Sequence, residues 1–88
     1  MDQALADFLR HLGLEKNSSA YTVKSYREDL TQALEFFRER AGATVKPEQI
    51  TTRHIRALLA WLHDQGYARS TIARRVAAVR SWFRYLCR

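Results

Sequence analysis

Ile72, Val76, Val79, Phe83 and Leu86 recur at steps of four, three, four and three. That spacing puts all five on one side of an α-helix and on no single side of a strand. The segment that carries them, residues 68–88, holds six arginines (Arg69, Arg74, Arg75, Arg80, Arg84 and Arg88) and no acidic residue. At about 100° per residue, Ser70, Arg74, Ala77, Ser81, Arg84 and Arg88 fall opposite the apolar seam, with Arg80 and Arg75 on its two flanks. Fifteen Lys and Arg less these six leave nine, against nine Asp and Glu in residues 1–67, so the whole net charge of +6 belongs to this segment. A charged helix back is ordinarily a solvated face, but such faces interleave both signs, and like charges four apart oppose the helix. Uncompensated arginines separated by small residues, which let a backbone come close to a phosphate, point instead to a surface for polyanions. A basic amphipathic helix also suits an anionic membrane or an acidic partner. Against the membrane, so small a domain needs that apolar seam for its own core.

Eighty-eight residues suit a single domain spanning 1–88 with one modest core. No apolar run approaches the roughly 20 residues of a membrane span, and no signal-peptide pattern opens the chain. One cysteine, Cys87, excludes an internal disulfide framework and fits a reducing, cytoplasmic setting. Three Gly and one Pro leave little turn chemistry for a β-rich fold. The chain stops inside its last predicted helix without a C-cap, which reads as a module of a longer protein.

Four helices are predicted. The first covers about Asp2 to Leu12, with Leu5, Phe8, Leu9 and Leu12 as its stripe, Asp2 as its cap and Gly13 as its stop. The second opens on Ser19 as N-cap and runs to about Ala41, ended by Gly42; its seam is Val23, Tyr26, Leu30, Ala33, Leu34 and Phe37. After a loop with the only proline, Pro47, the third is capped by Thr51 or Thr52, buries Ile55, Leu58, Leu59 and Leu62, and stops at Gly66. The fourth starts at Ser70 or Thr71. The expected fold is an all-α bundle of four helices, with room for a fifth short turn.

The start of the second helix has chemistry of its own. Ser18, Ser19, Thr22 and Ser25 cluster there with Lys24 and Arg27. Hydroxyls, free backbone N–H groups and the positive end of the helix dipole suit a phosphate. Capping accounts for Ser19 without any ligand, whereas Thr22 and Ser25 have no capping duty to explain them.

Taken together, Ser19, Thr22, Tyr26, Asp29 and Leu30 resemble the S-x-x-T-x-x-x-Y-x-x-D-L signature of tyrosine recombinases of the Xer and phage-integrase type. The tail from Ser70-Thr71-Ile72-Ala73-Arg74-Arg75 through Ala78-Val79-Arg80-Ser81-Trp82-Phe83-Arg84-Tyr85-Leu86 is similar to the same family, and the likeness covers essentially the whole chain. It implies a SAM-like orthogonal bundle, the N-terminal core-binding half of a clamp around double-stranded DNA, with its second and fourth helices across the major groove. Carried over by position, the contacts are Ser19, Thr22, Lys24, Ser25 and Arg27 on the second helix, and Ser70, Thr71, Arg74, Arg75, Arg80 and Arg84 on the fourth. Arg75 and Arg80, on the flanks, are expected to be partly structural. The resemblance also implies packing against other recombinase protomers in the full assembly, the isolated domain being monomeric. Trp82 stands where phenylalanine is commoner in the family.

The family's DNA-cleaving tyrosine and its Arg, Lys and His partners belong to a second domain, so no catalytic residue is expected here. Tyr21, Tyr26, Tyr67 and Tyr85 lack a general base or arginine pair spaced to serve them. His11, His54 and His63 share no metal-ligand spacing, and neither a metal nor another cofactor is expected. Trp61 and Trp82 read as core or rim aromatics and Cys87 as a small apolar filler. Two rival readings are a helix-turn-helix regulator, built on the third and fourth helices around Gly66-Tyr67-Ala68-Arg69, and a protein-interaction module that docks an acidic partner on the basic helix.

Overall fold

The computed structural model describes residues 2–86, so the expectations for Cys87 and Arg88 lie outside the described residues. Helix α1 spans Asp2–Leu14, α2 Ala20–Ala41, α3 Thr52–Asp64 and α4 Arg69–Leu86, with a single 3-10 turn at Pro47–Gln49. No strand occurs among the described residues.

The chain folds as two antiparallel helix pairs. An ion pair of 2.7 Å between Asp2 and Arg38 ties the start of α1 to the end of α2. At the far end, Gly13 faces Val23. In the second pair, Leu59 and His63 of α3 line one surface hollow with Arg69, Ile72 and Ala73 of α4, and Ile55 lines another with Phe83 and Leu86. Helix α4 packs against all three others. That position explains why its buried set is wider than a single seam. Ile72, Val76 and Val79 are buried as expected, but so are Ala78 and Trp82, whereas Phe83 and Leu86 are only half-buried. Trp82, Phe37, Leu30, Leu58, Leu62 and Val79 are the largest fully buried side chains. Leu59, expected on the α3 seam, is exposed, about 100° around the helix from fully buried Leu58 and so at the edge of the covered arc.

Helix ends differ from expectation at three places. Asp2 lies in the first turn of α1 rather than capping it. Gly13 does not stop α1, which continues to Leu14; the left-handed turn falls instead on Asn17, at φ 53°. Asparagine tolerates that conformation because its short polar side chain bonds locally. Helix α4 begins at Arg69, with the N–H of Ile72 bonded to the carbonyl of Ala68, so Ser70 and Thr71 sit inside the first turn rather than capping it. Ser19 does cap α2. Its Oγ accepts the Thr22 N–H at 3.1 Å, and Gly42 closes the other end at φ 108°. Ser19→Ala is expected to cost about 1 kcal/mol, which a circular-dichroism melt reads as a fall of roughly 4–8 °C.

Candidate nucleic-acid interface

The structure draws α2 and α4 together around one carboxylate. Asp29 is only 3% exposed, and it receives two arginines that follow one another on α4. Arg74 approaches side-on, with Nε donating to Oδ2 at 3.2 Å and Nη2 to Oδ1 at 3.1 Å. Arg75 brings its Nε to 3.5 Å from Oδ1, donates through Nη1 to the Gln32 side-chain carbonyl, and lays its guanidinium 4.6 Å from the centre of the Tyr67 ring. Gln32 in turn donates from Nε2 to the Tyr67 hydroxyl at 2.9 Å. A buried carboxylate needs such partners, because leaving water uncompensated is costly for a charge. Arg75 is 18% exposed, with its Nε buried and making no hydrogen bond among the described residues; Arg74 remains 53% exposed.

The acid that α4 lacks is therefore supplied by α2. Position 29 lies three residues after Tyr26 and four before Ala33, on the edge of the α2 apolar seam. An acidic residue there signals a cationic partner from another element, a signal carried by α2 and absent from the sequence of α4.

Around α2, Thr22 and Ser25 fall within about 40° of Asp29, on the side that faces α4, whereas Lys24 and Arg27 lie roughly 140–160° away on another face. The expected α2 set is thus split. Thr22 is not idle: its N–H and its hydroxyl both bond Ser19, the latter at 3.0 Å, so it shares in the cap. Ser25 is half-buried, and Lys24 and Arg27 are exposed.

Around α4, Ser70, Arg74, Ala77, Ser81 and Arg84 fit within about 80° of arc, and Arg80 follows about 40° further, toward α3. Ser70, Arg74, Ala77, Arg80 and Arg84 are exposed; Thr71 and Ser81 are half-buried. Among the described residues, Lys24, Arg27, Ser70, Arg80 and Arg84 make no ion pair or side-chain hydrogen bond. The end of α1 extends this face. Lys16 shares a cleft with Ser81, Arg84, His11 and Tyr85, which adds a cation that helical periodicity could not assign because it lies in a linker.

The tyrosines serve packing or the surface. Tyr26 meets Phe8 edge-on at 5.9 Å, Tyr85 lies 4.8 Å from the His11 ring, and Tyr21 is 79% exposed. No three His, Cys, Asp or Glu side chains among the described residues are grouped to hold a metal ion. No helix among them is long and apolar enough to cross a membrane.

Residues 5–88 match the family model described as phage integrase, N-terminal SAM-like domain. Curated relatives include a tyrosine recombinase XerC of Natranaerobius thermophilus, 47% identical over 88 residues, which are 100% of this chain and 29% of that protein. Proteins of the same name from Pelotomaculum thermopropionicum and Roseiflexus castenholzii are 45% and 43% identical, covering 93% and 98% of this chain and 28% and 27% of theirs. The chain thus spans under a third of the length of these relatives. No solved structure matches it.

Proposed function

Because the chain belongs to the phage-integrase N-terminal SAM-like domain family, we propose that it binds double-stranded DNA as the N-terminal clamp domain of a site-specific tyrosine recombinase. The observation that carries this reading is the outward face of α4, where Arg80 and Arg84 stand exposed without a protein counter-ion among the described residues and Arg74 is half-exposed beside them. Most of the affinity would come from arginine and hydroxyl contacts to phosphates. A few side chains, Ser70 and Thr71 among them, would reach base edges. Cleavage and rejoining of strands, and the other half of the clamp, would fall to the part of the relatives that this chain does not span, with neighbouring protomers joining in the full assembly.

Counterion release gives the test. If five to seven phosphates are neutralised, log K against log salt should have a slope of about −4.5 to −6. A flat titration with mixed-sequence duplex would remove the reading. The rival in which the basic helix docks a protein predicts tighter binding to an acidic peptide than to the duplex under the same salt, and a competition experiment decides between them.

A further inference from the structure

Arginine has five N–H donors on one rigid plane. In Arg74, Asp29 takes the side edge formed by Nε and Nη2. The end edge, formed by Nη1 and the second Nη2 proton, is left for an external acceptor, and the side chain is half in solvent. The carboxylate that holds it cannot swing away. It is buried, and its Oδ1 also faces Arg75, itself locked by Gln32 and the Tyr67 ring. Three charges in contact thus sum to one net positive charge with one outward edge. The spacing of that edge fits two phosphate oxygens.

We infer that Asp29 is a positioning residue that presents the end edge of Arg74 to a backbone phosphate of the duplex. This rests on the duplex-binding reading above and deepens it. A free surface arginine must lose its rotamer freedom on binding, whereas Arg74 has already lost it on folding. The proximity of Asp29 works against a phosphate by charge alone, so its effect on affinity has opposite signs under the two accounts. Asp29→Asn raises the net charge from +6 to +7, and charge by itself predicts tighter binding to any duplex. Positioning predicts the reverse.

The test is fluorescence-anisotropy titration of a mixed-sequence duplex at fixed salt with wild type, D29N and R74K, each checked for helicity. D29N is expected to bind about tenfold more weakly despite its added charge, the scale of one lost charge-assisted contact. R74K keeps the charge and can still pair with Asp29, but has no planar fork; it is expected to lose about as much as R74A. D29N binding as tightly as wild type or tighter, or R74K binding like wild type, overturns the inference while leaving the duplex reading in place. Failure of the wild-type chain to bind at low salt overturns both. If D29N is not folded at the assay temperature, R74K against wild type and R74A decides alone, because Arg74 is half-exposed and its truncation leaves Arg75 on the carboxylate.

Discussion

Trp82→Ala is expected to lower stability by about 3–5 kcal/mol, the range for emptying a large aromatic site in a packed core. Trp82 is 0% exposed, stacks on Phe83 at 5.3 Å and 16°, and stands on the helix that packs against α1, α2 and α3. A domain of this length is stable by roughly 4–13 kcal/mol, so the substitution removes a large share of the total. At about 4–8 °C per kcal/mol, the thermal midpoint should drop by tens of degrees. Trp82→Phe separates packing from polarity. The indole N–H of Trp82 is buried with no hydrogen-bond partner among the described residues, and an unsatisfied buried donor costs about 1–3 kcal/mol. Phenylalanine gives up part of the volume but also removes that orphan, so W82F should lie within about 1.5 kcal/mol of wild type. Thermal melts of the two variants check this. A W82F as damaged as W82A would mean that the indole makes a polar contact after all.

Periodicity exposed the fold because the helices are long and one-sided. Leu5, Phe8, Leu9 and Leu12 on α1, and Leu30, Ala33, Leu34 and Phe37 on α2, are all buried where their spacing places them. Such patterns lose power where a helix has neighbours on several sides. Helix α4 is the case in point: with three partners it buries Ala78 and Trp82 beside its predicted seam, and no single angular stripe could specify that. Ends are governed by local turn chemistry, and there Asn17 took the left-handed position that Gly13 was expected to fill. The arginines of α4 were visible as an uncompensated run, but which of them are paired depends on contacts about 45 residues apart in sequence, Asp29 with Arg74 being the decisive one. Charge counted within one segment is blind to a carboxylate delivered by another. The consequence is practical. Reversing the charge of Arg74 would set a second carboxylate against buried Asp29 and damage folding together with binding, so it is a poor probe of the surface.

The clean probe is Arg80→Glu with Arg84→Glu. Both side chains are exposed and neither has an ion pair among the described residues, so their reversal disturbs no internal contact that the structure shows. Their positions are four apart on one helix, where two like charges repel, and two glutamates would repel to the same degree; Arg84 lies in the last turn of α4, where an anion meets the negative end of the helix dipole at a cost of roughly 0.3–1 kcal/mol. Each arginine that meets a phosphate contributes close to one unit of salt slope, and its loss costs about 1–3 kcal/mol. The double variant should therefore bind duplex about a hundredfold more weakly, with a salt slope shallower by about 2. It should keep the wild-type circular-dichroism spectrum, with a melting temperature lower by only a few degrees at about 4–8 °C per kcal/mol. Unchanged affinity would move the interface off the back of α4. A proportionate loss with an unchanged slope would mean that the two arginines act through shape or base contacts rather than through phosphates. The paired experiment with Lys24→Glu and Arg27→Glu, which occupy a separate face of α2, then asks whether the duplex wraps both faces or only one. If phosphate contacts on α2 are confined to the side that faces α4, that second double variant should shift affinity far less than the first.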